Sequence, residues 1–188
     1  MGRPKLLLPW GETSVLGHLL TQWRRLGSEQ IAVVCAMDDP AMAAELDRLQ
    51  FPAADRIHNP APERGMFSSI QCAAQWPGWR PTLTHWAIVL GDQPHLKLET
   101  LRAVCGCSAA RPQQVCQPAR AGHRRHPVLM PKDVFLELAV TAAPDLKTFL
   151  QSRELAACEL DDAGLELDID RPEDYAKALA LAGLGGRV

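Results

Sequence analysis

Apolar residues along this chain recur with two different periods, and the two alternate. Over residues 14–26, Leu16, Leu19, Leu20, Trp23 and Leu26 return every three or four positions, Ser14 stands at the start and Gly27 just past the end. That spacing predicts an amphipathic helix with a serine cap and a glycine stop. Residues 31–35 are instead an unbroken apolar run, as expected of a strand covered on both faces. Helices are predicted over 40–49, 65–76 and 98–104, and strands over 56–58, 86–90 and 114–117. A strand over 127–130, helices near 132–140 and 145–150, and strand signals at Leu160 and 165–169 follow. A last helix, 172–181, opens on Pro172, a residue favoured at the first helical position. Strands alternating with helices predict an α/β fold on a mostly parallel sheet. No repeat or long linker interrupts the pattern, so residues 1–188 read as one domain.

Charge and composition narrow the picture by exclusion. A formal net charge of -2 gives no overall electrostatic case for nucleic acid or an anionic membrane as partner. No stretch approaches the roughly 20 apolar residues that span a bilayer. Pro4, Lys5 and Pro9 break any secretory apolar core at the start. A cytoplasmic protein is predicted, with its six cysteines reduced. Cys105 and Cys107, expected just after helix 98–104, have no second pair at ligand spacing and are predicted to be structurally ordinary.

A few polar residues sit where chemistry can occur. Asp92 follows the apolar run 86–90 and Gly91. Ligands of open α/β sheets bind at the carboxyl ends of strands, so Asp92 is placed to hold a divalent cation; a turn or helix-cap aspartate fits equally. Asp168 and Asp170 alternate onto one side of an extended segment. Asp170, just ahead of a helix start, also suits a cap, and Asp174 a first-turn acid. Lys5 can neutralise a triphosphate, or be a solvated lysine. The loop from Asn59 through Gly65 leads to Ser68 and Ser69, whose N–H and hydroxyl groups can hold a phosphate; plain capping by Ser68 competes. His126 can face a cleft, whereas His123 and Arg124 read better as a solvated loop.

In order, these segments resemble the MobA-like nucleotidyltransferases, within them the molybdenum cofactor cytidylyltransferase branch. Gly2-Arg3-Pro4-Lys5 is similar to the end of that family's glycine-rich motif. Asn59-Pro60 with Gly65-Met66-Phe67-Ser68-Ser69 is similar to its Asn-Pro and Gly-Met-Ser-Ser-Ser segments, with Phe67 in place of a serine. Leu90-Gly91-Asp92-Gln93-Pro94 resembles its magnesium-binding Gly-Asp-Gln-Pro, and His126-Pro127-Val128-Leu129 its Gly-His-Pro-Val-Leu. Asp168-Ile169-Asp170-Arg171-Pro172-Glu173-Asp174 is similar to its Asp-Ile-Asp-Thr-Pro-Glu-Asp, with Arg171 replacing threonine.

The resemblance implies a three-layer α/β/α sandwich, Rossmann-like, of the nucleotide-diphospho-sugar transferase type. It implies Mg²⁺-dependent transfer of a nucleoside monophosphate, from CTP or another NTP, to a molybdopterin-type acceptor with release of pyrophosphate. Carried over residue by residue, Lys5 and Asp92 are catalytic. Gly2, Arg3, Lys5, Asn59, Gly65, Ser68 and Ser69 bind the nucleotide. Gln93, Pro94 and His126 bind the acceptor, and Asp92 and Asp170 share the metal. GTP or a sugar or alcohol phosphate is the alternative within the family; outside it stands a non-catalytic protein that binds pterin or delivers it to a molybdoenzyme. The resemblance begins part-way into the glycine-rich motif, after the strand and turn that open it. The expectations are a sheet lacking its first strand, weak CTP binding by the chain as written, and a start codon upstream rather than a decayed remnant.

Overall fold

The computed structural model describes residues 4–185. Gly2 and Arg3, expected on the nucleotide, lie outside the described residues. A 3₁₀ turn, Lys5–Leu7, leads into a small hairpin of β1 (Pro9–Trp10) and β2 (Thr13–Ser14). Helix α1 (Val15–Arg25) follows. The Ser14 hydroxyl accepts the Gly17 N–H at 3.0 Å, and Gly27 takes a φ of 82° just beyond the end, so both predicted boundaries have their expected chemistry. Next come β3 (Val33–Ala36), α2 (Pro40–Arg48), β4 (Arg56–Asn59), α3 (Met66–Gln75) and β5 (His85–Ile88). The second half holds α4 (Leu98–Ala110), β6 (Val115–Arg120), β7 (His123–Arg124), β8 (Val128–Pro131), α5 (Lys132–Glu137), α6 (Leu146–Gln151), β9 (Leu155–Glu159) and α7 (Pro172–Leu181).

Among the described residues, β3 and β4 pair in parallel, apart from a five-stranded sheet in which β5, β8, β6 and β7 are neighbours and β9 lies against β6. The expected parallel pairing is met by β3–β4 and by β6–β9. Strand β8 is antiparallel to both β5 and β6, because the β6–β7 hairpin at Ala121-Gly122 turns the chain back before β8 begins. Alternate residues then reach opposite layers. Trp86, Val115, Val128 and Met130 pack against Phe67, Ile70, Phe135 and Phe149 of α3, α5 and α6. Cys116, Leu129 and Ala156 pack the other way, against Trp23 of α1 and Leu101 and Val104 of α4. Helices thus cover both faces of the sheet. The Trp86 and Phe135 rings stack at 4.8 Å between centroids, joining β5 to α5. None of the described helices is long and apolar enough to cross a membrane.

Two expectations are corrected. Helix α4 continues to Ala110, so Cys105 and Cys107 lie inside it rather than after it. Positions two apart on a helix do not face each other, and among the described residues no cysteine is disulfide-bonded. Cys107 lies 3.9 Å from the Cys116 sulfur, and burial followed by that neighbour pushes the Cys116 thiol up to about 12. Residues 165–169 are not a strand. Asp162 accepts the Gly164 N–H at 2.9 Å and opens a 3₁₀ turn, Ala163–Glu166, that buries Leu165. The segment then meets the turn after β5 through one backbone bond, Ile169 N–H to the Asp92 carbonyl at 3.1 Å.

Candidate functional site

The turn after β5 gathers charge from both ends of the chain. Leu6 packs so closely over Gly91 that a Cβ there would stand 2.5 Å from the Leu6 side chain. Any larger residue at 91 would push the Leu6 side chain aside as the Lys5–Leu7 turn docks. Docking sets the Lys5 ammonium 2.6 Å from the Asp170 carboxylate and 3.9 Å from that of Asp92. Asp170 reaches the same place through the Ile169–Asp92 backbone bond. One cation, a lysine, thus touches both aspartates expected to share a metal. A second bond, Asp170 N–H to the Asp168 carbonyl at 3.0 Å, bends this segment into a tight turn. Asp168 and Asp170 therefore meet different partners instead of projecting together from an extended stretch.

Asp92 is the strained member of the group. Its Oδ1 is buried and has no hydrogen-bond partner among the described residues. Burial pushes its carboxyl above the ordinary range, the Asp168 charge adds to that, and Lys5 opposes it. The hydrogen bond and charge of Lys5 hold Asp170 below its ordinary value. Asp168, weighed in the sequence only as a companion of Asp170, accepts the Gln93 amide at 2.8 Å. Gln93 and Pro94 are both buried, so Gln93 serves here to orient Asp168, and Pro94 stands behind the turn. Burial lowers His126, which lies 3.5 Å from the Ile88 carbonyl and feels the Asp168 charge. It therefore sits as a neutral ring beside the end of β5.

Asn59, Ser68 and Ser69 converge as a second group at the end of β4. The Asn59 amide donates to both hydroxyls, at 2.8 and 3.0 Å, and its carbonyl accepts the Ala61 N–H at 2.9 Å. The Ser68 hydroxyl is buried and also lies near the Ala61 and Gly65 carbonyls. It braces the loop and is not the helix cap; that position is Gly65, with a φ of 83°. Ser69 is half-buried and keeps one side open. The basic run is a solvated hairpin: His123 and Arg124 are exposed, and Arg120 pairs with Glu166 at 2.5 Å.

The donors at the β5 turn suit a hard cation completed from outside the protein. Among the described residues no three His, Cys, Asp or Glu side chains converge into a metal cage. Mg²⁺ does not need one: it is commonly held by one or two carboxylates, with phosphate oxygens and water filling the remaining positions. The orphaned, buried Oδ1 of Asp92 is the protein atom best placed for that duty.

Residues 1–157 match the family described as the MobA-like NTP transferase domain. Over 179 residues the chain is 22% identical to the molybdenum cofactor cytidylyltransferase of Escherichia coli strain K12, covering 95% of this chain and 88% of that protein. The solved structure of Rv0371c from Mycobacterium tuberculosis H37Rv is similar with a TM-score of 0.74 and 26% identity, covering 96% of this chain and 90% of that one. A complex of Rv0371c with manganese is similar at a TM-score of 0.71 and 26% identity, with 95% and 93% covered. A 4-diphosphocytidyl-2C-methyl-D-erythritol synthase shares the fold at a TM-score of 0.68 and 16% identity, with 95% and 94% covered.

Proposed function

This chain belongs to the MobA-like NTP transferase family and is a nucleotidyltransferase; from that premise we propose that it moves CMP from CTP onto the phosphate of a molybdopterin-type acceptor. Residues 1–188 act as one cytoplasmic domain in this reading, Mg²⁺ is the cofactor, and a molybdoenzyme receives the product. The acceptor oxygen forms a bond to the α-phosphorus while the bond from that phosphorus to the bridging oxygen breaks and pyrophosphate leaves. The reaction crowds several negative charges, so the protein's task is to position and neutralise them.

The observation that carries the reading is the arrangement of Lys5 between Asp92 and Asp170 beside an unpartnered, buried carboxylate oxygen. Asp92 and Asp170 would hold the metal, which when bound supplies positive charge to the phosphates. Lys5, whose ammonium lies beside both carboxylates, would offer its charge to the triphosphate. Asp168, oriented by Gln93, lies beside them in the same corner. Ser69 and the Asn59 loop face the nucleotide, and the neutral His126 offers a hydrogen bond to the acceptor. Similarity to the E. coli cytidylyltransferase supports the choice of base and acceptor.

The test is pyrophosphate release from each of CTP, GTP and ATP, with Mg²⁺ and a phosphorylated pterin. CTP is expected to be consumed fastest, and Asp92→Asn to abolish most of the release. Preference for GTP would overturn the choice of base, and full activity in Asp92→Asn would overturn the metal assignment.

A further inference from the structure

The sequence sets Cys107 beside Cys105, but the fold sets it beside two other cysteines. Cys116 on β6 lies opposite Ala156 of β9, and Cys158 stands two residues further along β9. Positions two apart on a strand share a face, so Cys116 and Cys158 both look from the sheet toward α4. The Cys107 sulfur lies 3.9 Å from that of Cys116. The Cys158 sulfur lies 3.8 Å from the Ala103 carbonyl, one helical turn before Cys107. Burial, followed by the charge of Cys107 and a hydrogen bond with it, pushes the Cys158 thiol up. Cys107 is thus the neighbour of both. Burial alone raises the Cys105 thiol, with no second sulfur acting on it.

The three sulfurs differ in what surrounds them. Arg111, one turn beyond Cys107, donates a guanidinium N–H to the Cys107 sulfur at 3.2 Å. An arginine beside a cysteine favours the thiolate, the form that attacks electrophiles. The carboxyl end of α4 opposes a negative charge there, but a hydrogen bond made directly to sulfur is the nearer influence. Cys116 and Cys158 instead face the backbone carbonyls of Gln114 at 3.9 Å and Ala103 at 3.8 Å, which accept from an S–H and offer nothing to an anion. Cys107 and Cys158 are half-buried, whereas Cys116 is buried. Strand β6 is held by β8 and by β9, while β9 pairs with β6 alone among the described residues. A disulfide needs its sulfurs about 2.05 Å apart, and a strand paired on one side can shift toward that separation more easily than one paired on both.

We propose that Cys107 is a site of oxidation by hydrogen peroxide and that Cys158 resolves it to a disulfide. The Cys107 thiolate attacks one peroxide oxygen, the O–O bond breaks, and the departing hydroxide takes up a proton and leaves as water. Cys107 is then a sulfenic acid. The Cys158 thiol gives up its proton as its sulfur attacks the Cys107 sulfur, the S–O bond breaks, and a second water leaves. The two thiols together lose two electrons and two protons, and the peroxide is reduced to two waters. A bond formed by an oxidant and opened by a thiol is of the transient, redox-sensing kind. It would tie α4, which follows the Asp92 turn, to β9, which leads toward Asp168 and Asp170. The inference stands apart from the choice of nucleotide or acceptor.

The test exposes the full chain to a small excess of hydrogen peroxide, with EDTA present, and reads intact mass and disulfide-linked peptides. Loss of two hydrogens, a linkage between Cys107 and Cys158, and its reversal by dithiothreitol are expected. Cys107→Ser should leave Cys158 unoxidised. Cys158→Ser should leave a sulfenic acid at Cys107 that dimedone captures, and this variant decides the matter if Cys107→Ser folds poorly. Arg111→Gln should slow the reaction several-fold, and Cys105→Ser should leave its rate unchanged. A linkage from Cys107 to Cys116, first oxidation at any other cysteine, or a rate indifferent to Arg111 would overturn the proposal. The readout needs no catalysis, so its failure is separable from failure of the proposed reaction.

Discussion

Asp92 and Asp162 both follow strands of the same sheet, and their surroundings are opposite. Asp162, beyond β9, is buried and fully engaged: Thr100 donates to it at 2.5 Å and Gly164 N–H at 2.9 Å. Burial pushes its carboxyl up, yet the bonds from Thr100, Gly164 and Lys97 outweigh that and hold it below its ordinary value. Asp92 has one buried oxygen without a partner and a like charge beside it, and its carboxyl is held up. One aspartate closes a turn, and the other is kept short of partners. A group left in that state costs stability in the free protein and has binding capacity to offer a ligand. The contrast distinguishes a carboxylate that closes a turn from one left with unused hydrogen-bonding capacity, without reference to motif.

The strongest way to break the contrast is Asp92→Asn. Pyrophosphate release should fall by about 10²-fold or more, the scale for losing one group that stabilises developing charge. The same variant should melt at an equal or higher temperature than the parent, because a repelled, half-buried carboxylate is gone. A fall in melting temperature would show that Asp92 is structural too. Asp162→Ala should do the reverse. It strands the Thr100 hydroxyl and the Gly164 N–H and should lower unfolding free energy by about 2–3 kcal/mol in urea titration, while catalysis at low temperature changes little.

Acid titration sharpens the comparison with a smaller effect. Asp162 has a depressed native pKa, so its stabilisation is present above the unfolded value near 4 and is lost as pH falls through the native value. Asp92 has a raised native pKa, so its contribution is most favourable below about pH 4 and declines as pH rises through the native value. Asp162→Asn should therefore flatten the loss of stability on acidification, and Asp92→Asn should flatten the loss on the alkaline side of that range. Urea midpoints measured across pH for both variants provide the check. The smallest effect belongs to Lys5→Gln. The Lys5–Asp170 pair is solvent-exposed, and such pairs contribute little to stability, so the urea midpoint should stay put while CTP affinity drops. A shifted midpoint with unchanged affinity would make Lys5 a structural tether instead.

Much was legible locally because the signals are local. Ser14 and Gly27 bracket α1, Pro172 opens α7, and the apolar run ending at Gly91-Asp92 marks a strand and its exit. Periodicity and capping involve residues within a turn or two of each other, so a single sequence carries them. The ordered motifs likewise carry the family resemblance in the sequence itself, and residues 1–157 match that family.

What only the tertiary structure decided is which of these residues meet. Lys5 and Asp170 are 165 positions apart, and no local period encodes their contact; it depends on Leu6 docking over Gly91 and on one backbone bond at Asp92. The engagement of Gln93 with Asp168, and of Asn59 with Ser68 and Ser69, arises in the same way. Packing also overrode two local signals. Helix α4 ran on through Cys105 and Cys107, where Val104 and Ser108 are buried, and in place of a strand over 165–169 a 3₁₀ turn, Ala163–Glu166, buries Leu165, with Asp162 accepting the Gly164 N–H. Element identity is written in nearest neighbours along the chain, whereas the site is a sum of long-range placements whose free energy exists only once the layers have packed.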